Sequence, residues 1–234
     1  STYTENRFSG YRGLNWLDDY YKGYIDGLMM AQKRVYGNLI LEDMLDSDMI
    51  EKLRGIFGGV MYQDCNFSFE KYFGQVILPR YITATERQEV LAMLSEKYPC
   101  HLYTHKKTPS LPNTINRGTA ANRKESCFIF RSSKINLNIT LRSIRTGIPL
   151  RAFEIMGSGG FLMTNYQEDF LEYFEPGIDY IFYSSKEELA RLADYYLTHE
   201  EEREKIARNG YQRVKEGHTY RHRVESLLTR IKEL

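Results

Sequence analysis

Residues 133–164 read SKINLNITLRSIRTGIPLRAFEIMGSGGFLMT. The segment Ile135-Asn-Leu-Asn-Ile139 alternates apolar and polar side chains, the period of a strand. Phe161-Leu-Met-Thr164 is a short apolar run that fits a second, buried strand. Between them Pro149–Met156 has helical spacing. Pro149 is expected at the first helical position, where its missing N–H costs nothing. Gly157-Ser-Gly-Gly160 follows the helix and suits its C-terminus and a tight turn into the next strand. Strand, helix and strand in succession specify a βαβ unit and therefore a parallel sheet.

Reading outward, the pattern continues on both sides. A strand is expected at His101-Leu-Tyr-Thr104 and another at Tyr180-Ile-Phe-Tyr183. Helices are expected at about 125–131, 168–174 and 186–197, with two more at 200–215 and 219–231. Thr219 would cap the last of these, and Tyr220 would dock it against the sheet. The first hundred residues read as almost wholly helical, at 16–36, 39–45, 48–57 and 68–80. Thr85-Glu-Arg-Gln88 has the form of a capping box opening a further helix to Tyr98. Residues 1–12 read as a polar tail. The fold class expected is thus α/β, a parallel sheet flanked by helices over 85–234, preceded by a helical segment over 1–84.

Charge is segregated along the chain. The 32 basic and 31 acidic residues nearly balance overall. From His101 to Phe153, however, there are ten basic residues (Lys106, Lys107, Arg117, Arg123, Lys124, Arg131, Lys134, Arg142, Arg145, Arg151) and a single acid, Glu125. Such a stretch concentrates an anionic ligand without making the whole protein a polyanion binder. Because it leads into the helix at Pro149, it suggests a phosphate site at a helix N-terminus. With a net charge of +1 and no known nucleic-acid module, a nucleic-acid surface is the weakest reading.

Composition excludes other classes. Hydrophobic content of 42% with 27% charged residues fits a globular protein. No run approaches the ~18 apolar residues a membrane span needs, and no signal peptide is expected. Three widely spaced cysteines (Cys65, Cys100, Cys127) without a CxxC pair read as reduced thiols, so a cytoplasmic location is expected. His101, His105, His199, His218 and His222 have no partners at ligand spacing, and no metal is expected. Asp46-Ser-Asp48 has the form of a metal-binding Asp-x-Asp motif but lies between helices, where Asp48 serves better as an N-cap.

Several segments together carry a family likeness: Ser133-Lys-Ile-Asn-Leu-Asn138, Gly147-Ile-Pro-Leu-Arg-Ala-Phe-Glu154, Gly157-Ser-Gly-Gly160, Glu187-Glu-Leu189, Arg203-Glu-Lys-Ile-Ala-Arg-Asn-Gly210 and His218-Thr-Tyr-Arg-His-Arg223. In this order and spacing, from about Glu86 onward, they resemble the C-terminal, donor-binding domain of a GT-B glycosyltransferase. The likeness is to the group-1 type of the spore-maturation CgeB-like proteins. It implies a Rossmann-like domain that binds a nucleoside-diphosphate sugar, expected to be a UDP-sugar, at the carboxyl ends of its strands. It also implies an acceptor of polysaccharide, protein or cell-envelope glycan, and an acceptor-binding domain ahead of Ser1. Without that domain the chain is expected to bind donor but to be inactive in transfer.

The resemblance places Glu154 on the ribose hydroxyls, where a carboxylate offers two acceptors to a vicinal diol. Arg151, three residues earlier on the same helix face, suits a phosphate through its fork of donors. Arg142, Arg145 and Lys134 extend the positive field. Ser133 either meets the diphosphate or caps a helix. Tyr103 and Lys106 lie at the carboxyl end of the first strand, with Lys107 beside them. The strand and Gly-rich loop that open many such domains are missing, since 69–98 reads as helices, and Arg87 is a candidate to stand in for the basic groups they supply. The resemblance makes Glu154 the second acid of the Glu-x7-Glu motif of related enzymes, and the chain departs from them at Thr146, eight residues earlier, where they carry the first acid, the one next to the transferred sugar. The leading reading is therefore the donor-binding domain of a glycosyltransferase. The alternative is a non-catalytic nucleotide-binding or assembly domain of a cell-surface or spore layer.

Overall fold

The structure, a computed structural model, describes Tyr3, residues 9–58 and residues 68–233. Most of the expected polar tail, together with Gly59 and Cys65, lies outside the described residues. The chain divides into two compact units. A helical unit comprises Thr2–Thr119 and Ile139–Arg145, and a sheet unit comprises Ala120–Asn138 and Thr146–Leu234. The boundary expected at 84/85 falls instead inside one continuous helix.

In the helical unit, a 3-10 helix (Ser9–Trp16) leads to α1 (Asp19–Arg34) and α2 (Ser47–Phe57). Asp18 caps α1, and Asp46 caps α2 by accepting from the Met49 N–H at 2.8 Å. Asp46 rather than Asp48 therefore holds the cap. Asp48 sits in the first turn and accepts from the Tyr21 hydroxyl. The helix expected at 39–45 is a turn, because the Gln32 side chain takes up the chain's polar groups there. Gln32 accepts from Ile40 N–H at 2.8 Å and donates to the carbonyls of Val35 and Asn38.

α3 (Phe69–Tyr72), capped by Ser68, runs through a π-helical segment (Phe73–Ile77) into α4 (Leu78–Lys97). Pro79, without an N–H and with a ring that crowds the preceding turn, explains why the helix widens there. Thr85 consequently opens no helix, and its hydroxyl donates to Ile82 within α4. α4 buries Leu78, Ile82, Glu86, Val90 and Leu94 at successive turns, with Pro79 and Thr83 beside the first two. The core packs these helices through Ile25, Leu53, Phe57, Phe69, Phe73 and Ile82, with the Phe69 and Phe73 rings stacked at 5.7 Å.

β1 (His101–Leu102) is shorter than expected. It pairs in parallel with β2 (Ile115–Asn116), a strand absent from the sequence reading.

The sheet unit holds three parallel strands in the order β3-β4-β5: β3 (Asn136–Asn138), β4 (Leu162–Asn165) and β5 (Ile181–Tyr183). The expected strand at 101–104 is therefore not part of this sheet. Its helices are α5 (Arg123–Ser132), α6 (Leu150–Gly157), α7 (Lys186–Thr198) and α8 (Glu200–Gly217), followed by α9 (Tyr220–Lys232). The helix expected at 168–174 is a single 3-10 turn, Glu168–Phe170. It is cut short before Pro176-Gly177, where Asp179 takes the Glu175 N–H at 2.9 Å.

α6 ends as the Gly-rich run foretold. Gly160 N–H reaches Ile155 O at 3.0 Å, Gly159 N–H reaches Met156 O at 2.8 Å, and Gly159 has φ +79°. This left-handed turn suits glycine, and a Cβ on Gly160 would lie 2.6 Å from Phe130 O. Gly210 lets α8 pack closely, since a Cβ there would stand 2.4 Å from Asp179 O. Ala152, Ile155, Met156, Leu162, Phe170, Tyr180 and Val214 form the buried centre.

Candidate functional site

In a parallel βαβ unit the crossover helix runs against the strands, so its N-terminus lies at their carboxyl edge. α6 follows β3 and precedes β4, and its first turn is therefore placed where ligands of open α/β sheets bind. Pro149 is the N-cap (φ −60°, ψ 138°), not the first helical residue, and it adds no side-chain cap. Just before it, the Gly147 N–H is held by the Asp169 carboxylate, a contact the sequence reading missed. Nearby in sequence, Gln167 has a buried Oε1 without a hydrogen-bond partner.

Arg151 and Glu154 share one face of α6 and pair at 2.9 Å, with side chains 39% and 48% exposed. The Arg151 guanidinium also lies 5.2 Å from the centre of the Phe130 ring. An exposed pair at this spacing is worth only about 0.3 kcal/mol, so either partner exchanges it for a ligand at little cost. The arrangement offers a fork of donors and a two-oxygen acceptor at one helix start.

The other expected site residues are distributed as follows. Ser133 donates its hydroxyl to Ile129 O at 2.8 Å at the end of α5, the capping role of its two alternatives. Lys134 is exposed. Tyr103, Lys106, Arg142 and Arg145 belong to the helical unit, so neither unit alone holds all eight. There Tyr103 is half-buried, and Lys106 and Arg145 are exposed.

Arg142 is buried and committed within the helical unit. It grips Glu86 with two bonds, Nε–Oε2 at 3.0 Å and Nη2–Oε1 at 2.8 Å. It also donates to the carbonyls of Val35 (3.1 Å) and Lys33 (3.2 Å) and covers the Tyr36 ring at 3.7 Å. Four of its five N–H groups are thus paired, which suits a structural anchor better than a ligand contact. Arg87 likewise directs Nε and Nη2 at Ile139 O, at 3.2 and 2.6 Å.

Glu86 was legible in one respect: it interrupts the apolar stripe 78, 82, 90, 94 with a carboxylate, and a buried carboxylate requires a cation. Tyr36 donates to Glu86 at 2.6 Å, and its phenol is held far above the usual tyrosine range, first by burial and then by the Glu86 charge.

At the end of α8, the His218 ring lies among Phe174, Tyr173 and Phe153 (4.9, 5.5 and 5.8 Å), and its Nδ1 is 2.7 Å from Arg223 Nη2. Burial lowers its pKa, with Arg223, Arg213 and His222 adding in the same direction. Tyr220, expected to dock the last helix, is 73% exposed instead. Among the described residues, no group of three or more His, Cys, Asp or Glu side chains is placed to hold a metal ion.

Parallel strands flanked by helices, with ligand-competent side chains at a crossover-helix start, define a Rossmann-like α/β protein. Residues 87–229, well over half of the chain, match the glycosyl transferase-like family, and the chain belongs to that family. Comparison with curated proteins and with solved structures gave no match. The family match begins inside α4 and ends inside α9, so it takes in the whole three-stranded sheet.

Proposed function

We propose that this chain binds the nucleoside-diphosphate sugar, expected to be a UDP-sugar, of a glycosyltransferase resembling the CgeB-like proteins. The observation that carries the reading is the half-exposed Arg151–Glu154 pair on the first turns of α6, in a chain of this family. Glu154 would accept from the ribose diol, and Arg151 with the free N–H groups of the helix start would face the diphosphate. Lys134 would add to the field. A departing diphosphate stabilised by these preorganised positive groups needs no metal for charge neutralisation.

Thr146, standing where related enzymes carry an acid beside the transferred sugar, favours a second reading in which the site binds nucleotide without turning it over. Measured release of nucleoside diphosphate from UDP-sugars separates the two.

Calorimetric titration tests the site itself. UDP should bind more tightly than UMP, and Arg151→Ala should remove most of that difference, ~1.5–3 kcal/mol for a charged hydrogen bond. Equal affinity for UMP and UDP in the unsubstituted protein would end the proposal.

A further inference from the structure

The last helix, α9, has no buried residues. Its large apolar side chains are Tyr220, Val224, Leu227, Leu228 and Ile231, and they are 73%, 53%, 60%, 52% and 64% exposed. At about 100° of rotation per residue these five fall within one arc about 100° wide. Arg221 and Lys232 border one edge of the arc, and Arg223 and Arg230 border the other. Glu225, Ser226, Thr229 and Glu233 lie beyond those borders. An apolar stripe framed by cations on both sides is the pattern of a helix that lies in a lipid interface.

Two observations sharpen this. A helix of 13 residues is marginal in water by itself, yet none of its residues is buried. Two of its cations have exchangeable or neutral partners. Arg221 holds Glu225 at 2.8 Å in a pair with side chains 85% and 55% exposed, which is easily exchanged. Arg223 donates to His218 Nδ1 at 2.7 Å and lies over the Tyr173 ring at 5.6 Å, partners that leave its charge without an acid.

A second copy of α9 laid face to face would set basic border against basic border in either orientation, so self-association is disfavoured. An anionic headgroup layer complements both borders at once. The apolar arc would enter the acyl boundary while the Arg and Lys stems carry their charges back to the phosphates. The helix would lie along the surface, because no helix of the described chain is long and apolar enough to cross a membrane.

We propose that α9 seats the protein on an anionic lipid surface. Flotation of the full 234-residue chain with phosphatidylcholine vesicles, with and without phosphatidylglycerol, tests it. Binding should need phosphatidylglycerol and weaken with salt. Leu227→Ser with Leu228→Ser, and separately Arg230→Glu with Lys232→Glu, should each weaken it by about tenfold or more. UDP affinity and the thermal midpoint should stay unchanged in both variants. Absence of vesicle binding, or equal binding to both lipids, overturns the proposal. So does a lowered thermal midpoint or a lost dimer in the Leu227→Ser, Leu228→Ser variant, which would mean that protein covers the stripe.

Discussion

Two Arg–Glu pairs of identical chemistry take opposite roles because of burial. Arg142 and Glu86 are 5% and 3% exposed, whereas Arg151 and Glu154 are 39% and 48% exposed. A buried pair is costly to break one-sidedly, since the remaining charge is left without water or partner. Glu86→Ala should therefore destabilise the helical unit by about 3–5 kcal/mol, and Arg142→Met with Glu86→Leu should cost much less than the sum of the single changes. Denaturant titration of the cycle measures this, and additive losses would refute the coupling. The exposed pair behaves in the reverse way. Glu154→Gln should weaken nucleotide binding yet leave the melting temperature within a few degrees. Lost stability with unchanged affinity would make Glu154 a structural partner and remove it from the proposed ribose contact.

At the level of elements, long periodic helices and the βαβ core were legible, because α1, α2 and the α6-to-β4 passage are set by local apolar spacing and glycine. The Gly159–Gly160 turn illustrates this: its left-handed φ and its tight approach to Phe130 leave little alternative to glycine. Three features were not legible. β2 has only two residues and is defined by a distant partner, β1. The continuity of α3 with α4 depends on a π segment that absorbs Pro79. Arg142 looks like any other member of the basic stretch, and only the fold reveals Glu86 facing it.

The α8–α9 junction adds a pH dependence. His218 is held neutral by burial and by Arg223, Arg213 and His222, so its folded pKa lies below the ordinary 6.5. Below that value the unfolded chain takes up a proton that the folded chain refuses. The contribution of His218 is thus fully present above pH 6.5 and is lost as pH falls toward the lowered folded value. His218→Gln keeps an acceptor for Arg223 but does not titrate. The difference in melting temperature between the two proteins should grow in favour of the variant from pH 7 to pH 5; a constant difference would show that the ring does not titrate differently on folding.

For the whole molecule, the basic stretch that stands out in sequence is shared equally between the two compact units. Lys106, Lys107, Arg117, Arg142 and Arg145 fall in the helical unit, and Arg123, Lys124, Arg131, Lys134 and Arg151 in the sheet unit. One of the ten, Arg142, is neutralised in a buried pair. The site proposed at α6 calls for a small dianion or trianion that meets one or two cations, not for a polyphosphate backbone that meets many. Salt discriminates between these cases. A protein with six to ten phosphate contacts loses roughly 10³–10⁵ in affinity between 50 and 200 mM salt, whereas a ligand meeting one or two cations loses only a few-fold. UDP affinity should accordingly fall a few-fold over that range, and an oligonucleotide should bind weakly at both concentrations. Tight oligonucleotide binding at low salt that collapses by a thousandfold or more would restore the nucleic-acid reading, and Lys106, Lys107, Arg123 and Lys124 would then be the first residues to reverse in charge.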